Sequence, residues 1–165
     1  MKKTNKKRTV SVHYLTTAAI IAALYVIFTG LSAAFGLASG VIQVRLSEAL
    51  TILPYFTNAA VPGVTIGCLL ANLLTGAPLP DIIFGTLASF LGVLGASLLR
   101  RKKYLVAVPT VLSNAIIIPL VLQYAYSVPD AFWYLFLTVG AGEIISAGIL
   151  GGLLLHLLQK SKIFR

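Results

Sequence analysis

Residues 9–44 read TVSVHYLTTAAIIAALYVIFTGLSAAFGLASGVIQV and contain no charged side chain. Further uncharged runs cover residues 49–80, 82–99 and 104–129. A helix that spans a bilayer needs about 20 apolar residues. Backbone groups in hydrocarbon must also bond to one another, which a helix achieves within a single segment. The runs therefore predict an all-α integral membrane protein.

The composition favours a bilayer as the surroundings of this chain. Hydrophobic residues make up 58% of the 165 residues and charged residues 10%, whereas about a quarter of a soluble domain is charged. A soluble domain of this size could not bury so much apolar surface in one core. The length suits one membrane domain over residues 1–165. Because the first run is too long for a cleaved signal peptide, we expect it to be a retained span.

The basic residues predict the orientation. All Lys and Arg residues except Arg45 lie in three clusters, within 2–8, 100–103 and 160–165. The positive-inside tendency places the three clusters, and so both termini, in the cytoplasm. An even number of spans must then lie between neighbouring clusters. Two spans fit between the middle and the last cluster. The stretch between the first and the middle cluster could hold two or four spans, and its length favours four. We expect six transmembrane helices, at about 12–36, 46–57, 61–76, 81–99, 104–127 and 131–158.

The second predicted span is short. Twelve helical residues cover only about 18 Å, while the hydrocarbon core is about 30 Å thick. We therefore expect the preceding loop, 36–44, to fold back into the outer half of the membrane and to leave a dent on the outside.

Glu143 is the most informative polar residue, because it lies near the middle of the sixth predicted span. A carboxylate at that depth costs several kcal/mol and usually has a function. We interpret Glu143 as an acceptor of hydrogen bonds from a ligand. The alternative is that it pairs with a polar group of the protein such as Asn114.

Other polar and aromatic residues lie in the outer half or at the middle of the predicted bundle. The candidates for ligand contact among them are Arg45, Glu48, Asn72, Asn114 and Trp133. Each has a structural alternative. Arg45 and Glu48, three residues apart, could form a local salt bridge, and the amides could join helices across the bundle. Trp133 could belong to the aromatic belt at the interface.

The sequence carries no signature of an enzyme, a metal site or a cofactor. His13 and His156 are too few to complete a zinc site, and Cys68 has no partner for an internal disulfide. A Gly-x-x-x-x-Gly-Lys-Ser/Thr phosphate loop is absent, so uptake against a gradient would need energy from a partner. The net charge of +9 reflects topology, and no aromatic-interleaved basic surface indicates nucleic-acid binding.

Small residues in the first span predict a face for contact with another helix. Ala18 and Ala22, and Ala19 and Ala23, form two overlapping Ala-x-x-x-Ala pairs. Residues four apart share one helical face, and small side chains let helices approach closely in lipid. The face either docks another subunit or packs inside this bundle.

Four stretches of the chain resemble the QueT family. They are VRLSEALTILP at 44–54, NAAVPG at 58–63, GCLLANL at 67–73 and DIIFGTLA at 81–88. The resemblance covers nearly the whole chain and is densest over 42–90. Members of that family are substrate-binding S components of energy-coupling factor (ECF) transporters, and their substrates are queuosine precursors, which are deazaguanine bases.

The resemblance implies a six-helix fold with a ligand site in the outer half of the membrane. It also implies docking to a transmembrane coupling subunit that works with two ATPases. The docking motif of S components maps best onto Ala19 and Ala23, which Leu24 follows. Ala18 and Ala22 are the overlapping alternative.

The implied substrate suits the polar residues. A guanine-like edge presents two adjacent N–H donors, which a carboxylate such as Glu143 or Glu48 can accept together. Asn72 or Asn114 could read the neighbouring carbonyl, and Trp133 could stack on the ring. Two alternatives remain: an S component for another vitamin or nucleobase, and a membrane scaffold or membrane-embedded enzyme. For an enzyme, only the two glutamates are acid/base candidates, and they lie on different spans.

Overall fold

A computed structural model describes residues 11–37 and 42–161. Within these ranges every regular element is helical and no strand is present, which confirms the all-α prediction. The α-helices are α1 (Val12–Ala34), α2 (Ala60–Leu74), α3 (Thr86–Leu98), α4 (Val108–Tyr124), α5 (Phe132–Glu143) and α6 (Gly151–Lys160).

Tighter and wider helical turns connect some of these helices. A 3-10 helix, Leu46–Tyr55, lies between α1 and α2, and a 3-10 turn, Lys103–Leu105, precedes α4. A π-helical turn, Asp81–Gly85, leads into α3, and a π-helical segment, Ile144–Leu150, joins α5 to α6. The basic cluster at 2–8, residues 38–41 of the predicted re-entrant loop and residues 162–165 lie outside the described residues.

Four continuous helices in the described part of the chain are long and apolar enough to cross a bilayer. They are Val12–Ala34, Asp81–Leu98, Lys103–Tyr124 and Phe132–Lys160. Large apolar side chains are exposed along each of them, and hydrocarbon is the medium that accepts such surfaces. The chain is therefore a membrane protein. The count of six spans, their boundaries and the cytoplasmic position of both termini stay predictions.

The 3-10 helix lies at the centre of the bundle. Residues 47–54 are all buried, and the helix packs against α1, α2, α3, α6 and the π-helical segment. At about 2.0 Å per residue, its ten residues extend only about 20 Å, which is shorter than the hydrocarbon core. Because 3-10 runs beyond three or four residues are uncommon, this is the least regular part of the core. It carries residues 46–54 of the stretch VRLSEALTILP at 44–54.

The two ends of the bundle differ in charge. Arg100 donates a hydrogen bond from Nη1 to Asn58 Oδ1 at 2.8 Å, so the turn before α2 lies beside the basic cluster. We call the end that carries 100–103 and Lys160 the basic end. The loops at 75–80 and 125–131 lie at the opposite end.

Two glycines bring α1 and α2 into close contact. A Cβ atom on Gly63 would lie 2.8 Å from the carbonyl oxygen of Ala18. A Cβ atom on Gly67 would lie 2.7 Å from Tyr25 Cβ and 3.0 Å from Ala22 Cα. The backbones can approach this closely only because neither glycine has a side chain.

Gly67→Ala is expected to destabilise the protein by about 1–3 kcal/mol, because the added methyl group must push α1 away. Gly30→Ala is the matched control, since a Cβ atom there meets nothing within 4 Å; it should be neutral or stabilising by up to about 1 kcal/mol. Thermal unfolding of both variants in detergent tests this. Equal midpoints for the two variants would show that the α1–α2 contact is looser than described.

Candidate functional site

The segment before the 3-10 helix is held across the junction of α5 and the π-helical segment. The Arg45 amide donates to Ser146 Oγ at 3.0 Å, and the Leu46 amide donates to Ser32 Oγ at 2.9 Å. The Gln43 carbonyl lies against Gly142, where a Cβ atom would collide with it. These contacts place the Arg45 side chain inside the bundle.

Four of the predicted ligand residues come together at this segment: Arg45, Glu48, Asn114 and Glu143. Glu48 lies in the first turn of the 3-10 helix, Asn114 in α4, and Glu143 at the end of α5. Their exposed fractions are only 1%, 3% and 7%. Asn114 lies beside Glu143, and the Arg45 guanidinium is close enough to interact electrostatically with both carboxylates. The cluster therefore contains two acids, one cation and one amide, all from different elements except for Arg45 and Glu48.

Two buried hydroxyl groups orient the Glu48 carboxylate. The Tyr25 hydroxyl donates a hydrogen bond to Glu48 Oε1, and Ser89 Oγ lies 3.4 Å from the same oxygen. Both residues are buried, and the sequence reasoning missed both. A signal existed for Tyr25, because it continues the helical face of Ala18 and Ala22 at i+7 and i+3.

Three buried polar atoms of the cluster have no hydrogen-bond partner among residues 11–37 and 42–161. They are Glu48 Oε2, Glu143 Oε2 and Asn114 Nδ2. Buried polar groups are nearly always satisfied, and an unsatisfied one costs about 1–3 kcal/mol, or more when it is charged. The cluster can therefore offer two carboxylate acceptors and one amide donor to a bound molecule.

A cavity of about 200 Å³ adjoins the cluster toward the opposite end. Its walls include Tyr25, Thr29, Arg45, Ser47, Asn72 and Asp81. Arg45 belongs to both the cluster and the cavity wall, and Tyr25 lines the cavity while it bonds to Glu48. Glu48, Asn114 and Glu143 do not line the cavity themselves. The volume lies below the range of about 300–1,000 Å³ that is typical for drug-sized ligands. The space suits a small ligand with polar edges.

Asn72 lines this cavity and also joins two helices. Its Nδ2 donates to the Asp81 carbonyl at 3.2 Å and lies 3.7 Å from Cys68 Sγ. The amide thus contacts two helical elements, as the structural alternative proposed, and its contact with a ligand stays a prediction. Asp81 lines the cavity, and burial and this carboxylate raise the pKa of Tyr126. Its phenol therefore remains protonated over a wider pH range and can donate to the carboxylate.

Trp133 is not brought to the cluster. It lies at the start of α5 with 70% of its surface exposed. Its ring packs on Phe132 and Phe136, with centroid distances of 5.4 and 5.9 Å, and it does not line the cavity. The first turn of α5 points this ring away from the bundle, so its position favours the aromatic-belt interpretation.

The two alanine pairs of α1 face in different directions. Ala18 and Ala22 are buried against the glycines of α2. Ala19 and Ala23 are exposed and line a shallow groove between α1 and α2, to which the buried Ala18 and Ala22 also contribute. We call this exposed pair the α1 docking face. The fold thus leaves only one of the two pairs open to a partner helix.

The family model for the QueT transporter matches residues 15–160. The chain belongs to the QueT transporter family. The match contains every residue of the cluster and both alanine pairs, and it confirms the resemblance that the four stretches indicated. A curated relative, the queuosine precursor transporter QueT of Lactococcus lactis subsp. cremoris (strain MG1363), is 38% identical over 90 residues. That alignment covers 54% of this chain and 53% of the relative, so it spans about half of each protein. No solved structure matches the chain.

Proposed function

We propose that this QueT family member is the substrate-binding S component of an ECF importer for a queuosine precursor. The family supports transport, and the name of the Lactococcus relative supports the substrate class. The observation that carries the proposal is the cluster of half-buried Arg45 with buried Glu48, Asn114 and Glu143 beside a small cavity. Three of its polar atoms have no partner in the described part of the chain and can therefore bind a ligand.

The cluster complements the polar edge of a deazaguanine base. The amino group and ring N–H of such a base are adjacent donors. Glu143 Oε2 and Glu48 Oε2 are acceptors that no described residue bonds to. Asn114 Nδ2 and the Arg45 guanidinium can donate to the carbonyl at the neighbouring ring position. A site built to bond such groups rejects analogues that lack them, because its own buried groups are then left unpaired.

The size of the cavity supports a fused bicyclic base over a larger vitamin. About 200 Å³ leaves little room for a ribityl chain or for a second ring system on a linker. Tyr25 lines the cavity, and its hydroxyl donates a hydrogen bond to Glu48. The hydroxyl therefore orients the carboxylate, while the ring offers an apolar surface to the ligand.

The orientation and the partners follow from charge and from the α1 docking face. The basic end is cytoplasmic by the positive-inside tendency, so the cavity lies toward the outside, where substrate is captured. Ala19 and Ala23 are the exposed small pair of α1 and dock a transmembrane coupling subunit. Two ATPase subunits supply the energy, since the chain has no phosphate loop of its own.

The experiment that tests this function is direct binding to the purified chain in detergent. Isothermal titration with queuine and with the aminomethyl and cyano deazaguanine bases is expected to show one saturable site with Kd near or below about 1 μM. Riboflavin and thiamine are controls for ligand size. Guanine is a control for the chemistry of the five-membered ring, because it carries a nitrogen where a deazaguanine carries a carbon. No binding of any deazaguanine to folded protein would refute the substrate. Equal binding of guanine would make the site a general purine site.

A further inference from the structure

A second concave surface begins at the basic end and shares no lining residue with the groove at the docking face. It is a groove of about 380 Å³ between α4 and the segment that runs from Ile144 into α6. Its walls are mainly apolar and include Ala107, Val111, Leu112, Ile144 and Leu155. We call it the α4–α6 groove. None of the four residues of the buried cluster lines it.

Two glycines keep the α4–α6 groove open. Gly148 and Gly152 both line it. A Cβ atom at Gly152 would meet nothing within 4 Å, and one at Gly148 would meet only Ile144 Cγ2 at 3.8 Å. Glycine weakens a helix relative to alanine, and neither glycine is needed here for close packing against a neighbour. Their effect is to leave a wide apolar channel on the surface that faces hydrocarbon.

The mouth of the groove is positively charged. Lys103 lines the groove, with Nζ 5.9 Å from the centre of the Tyr104 ring and 2.8 Å from Gln159 Oε1. Arg101, Lys102 and Lys160 are exposed nearby along the chain.

This charge has no acidic partner within the protein. The chain contains only four acidic residues. Glu48 and Glu143 are buried in the cluster, and Asp81 and Asp130 lie at the opposite end. The cations at the mouth of the groove are therefore available to an anionic group from outside the chain.

We propose that the α4–α6 groove binds one anionic diacyl phospholipid. An acyl chain lies along the apolar floor over Gly148 and Gly152, and the phosphate lies beside Lys103 at the mouth. Lysine binds phosphate as a point charge, and basic pockets between membrane helices suit anionic headgroups. Binding of the acyl chain depends on the apolar groove, and binding of the headgroup depends on the positive charge. The two interactions can therefore be tested separately.

The test is lipid binding to the full chain by native mass spectrometry, with phosphatidylglycerol and phosphatidylcholine of identical acyl chains. One bound phosphatidylglycerol is expected, with affinity about tenfold higher than that of phosphatidylcholine. Gly152→Leu fills the groove and should weaken both lipids by about tenfold. Gly30→Leu is the matched control, because it adds the same side chain to an open position of α1. Lys103→Gln should remove the preference for phosphatidylglycerol, and Lys103→Arg should retain it.

Several outcomes would overturn the proposal. One is equal affinity for the two lipids, and another is unchanged binding to a Gly152→Leu protein that keeps the parent's thermal midpoint. If soluble glycerol phosphate competes as well as the whole lipid, the site binds phosphate alone and the acyl part is wrong. Binding of deazaguanine is expected to be unchanged in all four variants, so this test does not depend on the proposed substrate.

Discussion

Glu143→Gln is expected to weaken binding of the deazaguanine base by about 100-fold or more. A hydrogen bond to a charged group is worth about 1.5–3 kcal/mol, and the neutral amide replaces one carboxylate acceptor with a donor. That donor would face the N–H groups of the ligand, which adds a repulsive contact. Titration calorimetry on the purified variant measures the change directly.

Two comparisons keep this result interpretable. Asp130→Asn removes an exposed carboxylate at the opposite end and should leave the Kd unchanged. Glu48→Gln should also weaken binding, but Tyr25 and Ser89 already engage one oxygen of that carboxylate. We therefore expect Glu143 to have the larger effect. If Glu143→Gln binds within threefold of the parent while thermal unfolding is unchanged, the carboxylate model of recognition is wrong.

Replacing both Ala19 and Ala23 with Trp is expected to stop uptake by the assembled importer without affecting ligand binding by the isolated chain. Small residues allow two helices to approach closely in lipid, and an indole ring on the α1 docking face would hold a partner helix away. The loss at such a central contact should be at least about 30-fold in affinity for the coupling subunit. The measurements are co-purification with the coupling subunit and the ATPases, and uptake of labelled base into cells.

The matched control for the docking variant is Leu31→Trp, which enlarges an exposed apolar side chain of the same helix about two turns beyond Ala23 and outside the groove at the docking face. Ala22→Leu tests the buried side of α1, because Ala22 packs on Gly67. It should lower the thermal midpoint of the isolated chain. If the double tryptophan variant co-purifies with its partners at the parent level, docking uses another surface.

Much of the candidate site could be predicted because polar atoms inside a membrane are costly. Glu143, Glu48, Arg45 and Asn114 stand out in an apolar sequence, and the fold brings these four together. Trp133 shows the limit of that reasoning. An aromatic residue is acceptable both beside a ligand and at the membrane interface, so its type does not distinguish the two positions.

The 3-10 helix shows a second limit. The sequence indicates that residues 46–57 are too short for an ordinary span, but not that residues 46–55 form a tighter helix with buried residues on every side. That geometry depends on the helices that pack around the segment. Some of these helices are close to it in the sequence and others are far from it. Tyr25 and Ser89 were missed for a similar reason, since they lie 23 and 41 residues from the carboxylate that they orient.

The sequence by itself determined the membrane environment, the helical class and the family. The first two follow from local properties, because the transfer of apolar residues into lipid adds up along a run and the backbone of each run must bond within itself. The tertiary structure alone decided which alanine pair faces outward, which hydroxyl groups hold Glu48 and where a cavity remains. These features depend on the rotation of each helix about its axis, which packing against the neighbouring helices sets. For α1, the close contact with Gly63 and Gly67 of α2 sets this rotation.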